Sequence, residues 1–256
     1  MNKYMKKSRQ DGATLVELIY VIPLFFLLMF SIFEVAYLYR SKATLNVATF
    51  DAARSGSLNN ASPSAMKSAL ANGMMPLFVG GDKSAGGIAS AYVKSHVFGT
   101  ALSAISGVPG VRLDSVVTIS PNRAMYNKFK KPVSILDEST QRFRFVDAIP
   151  NDNLQFRSTR TERIRVGGDN VDVNLQDANL LKIKTLWCHK MKVPGFRDMI
   201  YRTVLGGVFG ISPEQRYCNA LRAGAGQISG SDDVYIAITA HSVIRMQSPV
   251  FVTGLQ

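Results

Sequence analysis

The residues best placed for chemistry lie near the N-terminus, where Gly12 is followed five positions later by Glu17. Glu17 directly precedes a charge-free apolar run from Leu18 to Phe33. A carboxylate in such a run costs roughly 2.5 to 3.5 kcal/mol at mid-bilayer and less near the edge, so Glu17 needs a functional reason. Cleavage after Gly12 would make Ala13 the new N-terminus and would leave its amine four residues before Glu17.

A long apolar helix behind a basic leader must position this junction. The leader contains four basic residues, Lys3, Lys6, Lys7 and Arg9. Positive charge of this kind keeps a leader in the cytoplasm, so the chain beyond the helix is predicted to face outward. A secretory signal peptide carries its small-residue cleavage site after the apolar segment, whereas Gly12 precedes it. The membrane helix is therefore expected to stay on the processed chain.

The apolar run alone is short for a bilayer. Leu18 to Phe33 covers about 24 Å at ~1.5 Å per residue, against a hydrocarbon core of about 30 Å. We therefore expect Ala13 to Val16 and Val35 to Tyr39 to complete the span. Glu34, close to the far edge, is expected to reach water or to pair with Arg40, with no special role.

Two cysteines, Cys188 and Cys218, are the only ones in the chain. In an oxidising periplasm an isolated pair predicts one disulfide, and closing a loop of about 30 residues contributes about 3 to 4 kcal/mol. The adjacent pair Cys188-His189 raises the possibility of zinc, but His96 and His241 lack ligand spacing. No metal and no cofactor are expected.

Three other motifs resemble catalytic or ion-binding patterns without completing them. Ser64 and Lys67 have Ser-x-x-Lys spacing, but the partner motifs of that enzyme class are missing. The run Gly81-Asp82-Lys83-Ser84 lacks the glycines of a phosphate loop. The acidic residues at 169–172 and 232–233 lack the spacing of a calcium loop. These patterns indicate a protein that is not an enzyme.

The formal net charge of +12 fits contact with anionic lipid headgroups, surface polysaccharide or nucleic acid. Because the Lys and Arg residues are scattered and form no runs, we expect membrane lipid and no nucleic acid among the partners.

The N-terminal pattern resembles a type IV prepilin, and in finer detail the TadE-like pseudopilins of tight-adherence pili. The residues that carry this resemblance are Gly12-Ala13-Thr14-Leu15-Val16-Glu17, Pro23, Ile32-Phe33-Glu34, Asp51-Ala52-Ala53-Arg54, and more weakly Asp177 to Lys184 and Val193-Pro194. The resemblance is strong over residues 12 to 56 and patchy beyond.

The resemblance implies a minor pseudopilin in the bacterial inner membrane, with its head in the periplasm. Its implied partners are a prepilin peptidase that cuts between Gly12 and Ala13, other pilins and pseudopilins, and the inner-membrane assembly platform. We predict that Glu17 acts in assembly by pairing with the Ala13 amine of a neighbouring subunit. The alternative is a signal-anchored periplasmic enzyme or binding protein, for which Ser64 and Lys67 are the least poor candidates.

The predicted organisation is a leader (1–12), a transmembrane and amphipathic helix (13–56) broken at Ser55-Gly56-Ser57, and an α+β head (57–256) with a mostly antiparallel sheet. Helices are expected over 63–72, closed by Gly73, and over 88–105, 196–208 and 213–223. Strands are expected near 111–119, from 181 and over 234–246. The polar region 122–177 predicts long loops or a small hairpin.

Overall fold

The computed structural model describes residues 13–79, 84–105, 114–137, 141–166, 169–193, 211–220 and 233–255. Its helices are α1 (Ala13–Leu58), α2 (Pro63–Met74), α3 (Ala85–Ile105), α4 (Arg123–Phe129), α5 (Leu175–Ala178) and α6 (213–220). Its strands are β1 (Val116–Ser120), β2 (Lys131–Asp137), β3 (Arg142–Ala148), β4 (Glu162–Val166), β5 (Asp169–Val173), β6 (Leu180–Lys190) and β7 (Tyr235–Arg245). A long apolar helix followed by helices and antiparallel sheets confirms the predicted α+β class.

The first helix, α1, is continuous over 46 residues, about 69 Å at ~1.5 Å per residue. Its first half is exposed, whereas its second half buries one side against the rest of the chain. Leu45, Ala48 and Ala52, which the helical period places on one face, are all fully buried. The second half of α1 is therefore part of the head core.

The predicted break of α1 at 55–57 is wrong. The helix runs to Leu58 and ends where Asn60 and Ala61 adopt positive φ angles of 56° and 58°. A Cβ on Gly56 would lie 2.6 Å from the sulfur of Met66. Gly56 is thus a close-packing position inside the helix, and the turn that stops α1 comes later.

A three-stranded antiparallel sheet in the order β1-β6-β7 forms the centre of the head. Along β6, Leu181, Ile183 and Thr185 are buried, while Lys182 on the opposite face is exposed. This alternation confirms the strand predicted from residue 181, because side chains of a strand point to its two faces in turn. The buried residues point towards α1.

The strand β6 runs antiparallel to α1. The hydroxyl oxygens of Thr49 and Thr185 lie 2.6 Å apart. Further along, the Ser41 hydroxyl oxygen lies 2.8 Å from Nδ1 of His189. The end of β6 is therefore directed back towards the apolar half of α1.

The short helix α2 packs directly on α1. It begins with Pro63 at its first position, as predicted, but it continues through Gly73 to Met74. A Cβ on Gly73 would lie only 2.5 Å from Cβ of Ala48. The predicted stop at Gly73 is therefore wrong. This glycine lies inside α2, where its lack of a side chain allows α1 and α2 to touch.

The region 122–177 contains more regular structure than its sequence predicted. Two antiparallel hairpins, β2-β3 and β4-β5, lie in its described part. Two short helices are fixed by side-chain caps: Asn122 accepts from the Met125 backbone, and Asn174 forms a reciprocal capping box with Asp177. Such caps satisfy backbone N–H groups that a helix start leaves free.

The two cysteines form the predicted disulfide, which joins β6 to α6 across 30 residues of sequence. Nearby, the Lys184 amine lies 2.6 Å from a Glu214 carboxylate oxygen, and this hydrogen bond lowers the pKa of Glu214. The α6 side of the sheet lies opposite α1. The helix predicted over 196–208, and residues 221–223 of the next one, lie outside the described residues.

Candidate membrane and assembly interface

The first half of α1 presents an apolar surface that the head does not cover. From Leu18 to Phe33 every side chain is exposed except Ser31, which is half-buried. Neighbouring aromatic rings on this segment contact one another, including Phe26 and Phe30 at 6.0 Å between centroids. Among the described residues, α1 is the one helix long and apolar enough to cross a membrane.

Of the predicted processing and assembly residues, the structure describes Ala13 and Glu17, at the start of this helix. Gly12 lies outside the described residues, and α1 begins at Ala13. Glu17 is exposed, and no other described residue forms a hydrogen bond or an ion pair with it. Its carboxylate is therefore free to meet a group from another molecule.

Glu34, at the other end of the apolar segment, is buried and not solvent-exposed as we expected. Its side chain is 3% exposed. Its carboxylate oxygens accept hydrogen bonds from the backbone N–H of Lys192, at 3.2 and 3.3 Å, and of Val193, at 2.9 Å. The expected pairing with Arg40 is absent from the described contacts. A buried carboxylate is stabilised by such donors, so Glu34 attaches the chain after β6 to α1.

His189 extends this polar contact along α1. Its Nε2 lies 3.6 Å from a Glu34 oxygen, and its Nδ1 contacts the Ser41 hydroxyl. Burial lowers the pKa of His189, and the Lys192 charge lowers it further against the opposing pull of Glu34. The lowered pKa favours the neutral imidazole, and its Nδ1 shares one hydrogen bond with the Ser41 hydroxyl.

Ser41, His189 and Glu34 resemble a catalytic triad in residue type but not in access. Ser41 lies within a helix and is 3% exposed, so its hydroxyl is largely shielded from solvent. We interpret the three residues as a buried polar contact that joins the membrane helix to β6. We refer to Glu34, Ser41, His189, Lys192 and Val193 as the neck.

The alternative catalytic residues are not brought together. Lys67 forms an ion pair with Asp114 at 2.6 Å, and the Ser64 hydroxyl contacts Ser62. Among the acidic residues considered for calcium, Asp172 pairs with Arg163 and Asp233 with Lys190. No group of three or more metal-ligating side chains occurs in the described part of the chain.

An apolar stripe continues on the outer side of α1 beyond the neck. Tyr39, Val47 and Phe50 are 75%, 64% and 50% exposed. Their spacing of eight and three residues places them on one helical face. The opposite face, with Ala48 and Ala52 fully buried, packs on the head.

The residues that form α1 are also the ones that match a known family. Residues 12–54 match the family model described as TadE-like protein. The chain is similar to this family over its N-terminal helix. This match confirms the resemblance predicted from the sequence.

The TadE-like segment ends four residues before α1 does. It includes Gly12, Ala13, Glu17 and Glu34, but the weaker similarity at 177–184 lies outside it. No curated protein and no solved structure matches the chain. The TadE-like match therefore describes the helix, and the head has to be interpreted from its own residues.

Sequence reasoning missed the neck. Glu34 was visible as a carboxylate at the end of an apolar run, the same signal that drew attention to Glu17. Its partners are 158 and 159 residues away. Both donate through their backbone N–H groups, which no residue type reveals.

Proposed function

We propose that this chain is a minor pseudopilin of a tight-adherence pilus, processed after Gly12 and acting structurally in pilus initiation or assembly. The observation that carries the proposal is the form of α1: its first half is an exposed apolar anchor, its second half is part of the head core, and the TadE-like match covers most of both. A subunit built this way can be extracted from a membrane and packed through its helix.

Its location follows from the same helix. The basic leader stays cytoplasmic, α1 crosses the inner membrane once, and the head lies in the periplasm, where the Cys188–Cys218 disulfide is stable. Because Glu34 is held by the head, the span lies before it. Ala13 to Phe33 covers about 31 Å at ~1.5 Å per residue, enough for the hydrocarbon core without Val35 to Tyr39.

Glu17 fixes the axial register in the assembled pilus. Cleavage leaves an amine on Ala13, and the exposed Glu17 carboxylate of a neighbouring subunit pairs with it. Breaking a buried pair by removing one partner costs about 3 to 5 kcal/mol, so the pair selects one register and rejects others. The outer stripe of Tyr39, Val47 and Phe50 then packs against the next helix.

Four kinds of partner follow from this role. A prepilin peptidase cuts the leader, membrane lipid surrounds the anchor, other pilins and pseudopilins pack on α1, and the inner-membrane assembly platform extracts the subunit. No cofactor and no nucleic acid are part of this mechanism.

N-terminal processing is the deciding test. The intact mass and N-terminal sequence of membrane-extracted protein are measured with and without its prepilin peptidase. We expect a peptidase-dependent terminus at Ala13, and Gly12→Leu should leave the precursor unprocessed. A terminus that stays at Met1 in the presence of active peptidase would favour the anchored enzyme or binding protein instead.

The role of Glu17 is tested separately from cleavage. Glu17→Ala should be cut normally but should abolish pilus assembly, measured by the amount of sheared pilus material. Glu162→Ala removes an acidic side chain from β4, outside α1. It is the charge-matched control and should assemble normally. Normal piliation in the Glu17 variant would remove the register argument.

A further inference from the structure

A cavity of about 300 Å³ lies beside the neck, between α1 and the membrane-directed end of β6. Its walls include Phe98, Trp187 and Tyr235, and its rim includes Tyr37, Arg40 and Lys192. The inner wall is aromatic: the rings of Phe98 and Trp187 lie 5.0 Å apart between centroids. The cavity thus combines an apolar interior with a basic entrance.

Among the described residues, no acidic side chain forms an ion pair with two of the cations at this entrance. Arg40 is exposed and forms no ion pair with another described residue. The Lys192 amine lies 4.6 Å from the centre of the Tyr37 ring, a cation–π contact that leaves its charge intact. The third cation, Lys190, pairs with Asp233 at 2.7 Å. An anion is therefore attracted to Arg40 and Lys192.

The cavity entrance lies at the depth of lipid headgroups. If the span ends at Phe33, then Tyr37 and Arg40 lie about 6 and 10 Å further along α1 at ~1.5 Å per residue. A headgroup layer is about 5 to 8 Å thick on each side of the hydrocarbon core. Phosphates of the surrounding membrane are therefore within reach of the Arg40 side chain.

We propose that this cavity binds the phosphate and glycerol headgroup of an anionic phospholipid from the membrane that α1 crosses. The planar guanidinium of Arg40 donates two parallel hydrogen bonds to the phosphate oxygens, and Lys192 adds a point charge. The aromatic wall packs against the carbon atoms of the headgroup. The inference rests on the proposed membrane span of the pseudopilin.

Glu34 contributes by positioning. Its carboxylate holds the backbone of Lys192, and this fixes the start of the side chain that crosses the Tyr37 ring. The carboxylate itself is buried and hydrogen-bonded, so it does not face the anion directly.

The test uses Trp187, the only tryptophan of the chain. The full chain is reconstituted in phosphatidylcholine vesicles with a rising fraction of phosphatidylglycerol, and Trp187 emission is recorded. The double variant Arg40→Gln/Lys192→Gln is compared with Lys131→Gln/Arg144→Gln, which removes two exposed charges from the β2-β3 hairpin. We expect a saturable change for the natural chain and for the hairpin variant, and at least a tenfold weaker response for the cavity variant.

An equal response in both double variants, or a flat response in the natural chain, would overturn the proposal. Millimolar inorganic phosphate added to pure phosphatidylcholine vesicles distinguishes the source: a full response there would mean that the cavity takes free phosphate and not a lipid.

Flotation of the same vesicles separates this inference from the proposed function. A chain that does not float with the vesicles would contradict the membrane anchor itself. A chain that floats but shows no lipid-dependent change at Trp187 would contradict only the lipid site.

Discussion

The Glu34 carboxylate lies 2.9 Å from the backbone nitrogen of Val193, which places the residue directly after the apolar segment beside the chain that follows the central strand β6. The contact marks the point where α1 leaves the proposed membrane span and enters the head. In the sequence, Glu34 is an ordinary charged residue at the end of an apolar run. In the structure, its contacts mark where the head begins.

Replacing Glu34 with Ala should destabilise the head. The change leaves buried N–H groups of Lys192 and Val193 without acceptors, at a cost of roughly 2 to 4 kcal/mol. Chemical unfolding of the full chain in detergent micelles, followed by near-ultraviolet circular dichroism, measures the loss. Glu17→Ala removes an exposed carboxylate from the same helix and should leave the unfolding midpoint unchanged. Equal midpoints for both variants would contradict the neck contact.

Two glycine substitutions should act in opposite directions. Gly73→Ala forces a Cβ to within 2.5 Å of Cβ of Ala48, so it should cost about 1 to 3 kcal/mol. Gly99→Ala brings a Cβ to an ordinary 3.5 Å from Cβ of Ala71, so its better helix propensity should stabilise by about 0.5 to 1 kcal/mol. Thermal unfolding compares them. A stabilising Gly73→Ala would show that α1 and α2 do not pack as described.

The stability of the head should fall in mild acid because of His189. Burial lowers the pKa of His189 in the folded chain below its ordinary value of about 6.5. Protonation therefore favours the unfolded chain: the contribution is complete above about pH 6.5 and is lost as the pH falls through the lowered pKa.

Thermal unfolding midpoints between pH 7.5 and 5 provide the measurement. His189→Asn should flatten their decline, whereas His241→Asn, at an exposed site on β7, should not. A decline that is unchanged in His189→Asn would assign the acid sensitivity to other groups.

Removing the disulfide should lower the free energy of unfolding by about 3 to 4 kcal/mol, because it closes a loop across 30 residues. The double variant Cys188→Ala/Cys218→Ala and the reduced natural chain should unfold at similar denaturant concentrations. Urea unfolding with and without reductant tests this. Sensitivity of the double variant to reductant would point to an effect unrelated to this bond.

Parts of the fold with strong local patterns were predictable from the sequence. The buried face of α1 follows from the spacing of Leu45, Ala48 and Ala52, and β6 follows from its alternation. The region of β2-β3 was predicted only as long loops or a small hairpin, because Phe143 and Phe145 are 74% and 76% exposed and give no burial pattern. The strand β3 is stabilised by its pairing with β2. Residue types alone do not reveal this pairing.

Sequence reasoning about the site succeeded where short-range spacing carries the information and failed where distant segments meet. The TadE-like pattern is contained in one helix, so Gly12, Ala13 and Glu17 could be selected without a structure. Their roles in processing and assembly remain predictions. The neck depends on Glu34 meeting a segment more than 150 residues later and could be found only from coordinates.

The unbroken course of α1 also has a mechanical consequence. No flexible linker separates the anchor from the head, because the same helix that begins at Ala13 is packed along β6 up to Leu58. A pulling force applied to the anchor is therefore transmitted directly to the sheet. It acts along the helix axis on the contact between Thr49 and Thr185. In the proposed pseudopilin, the anchor and the head would then move together, and the work of extraction from a bilayer would be delivered as displacement of the head.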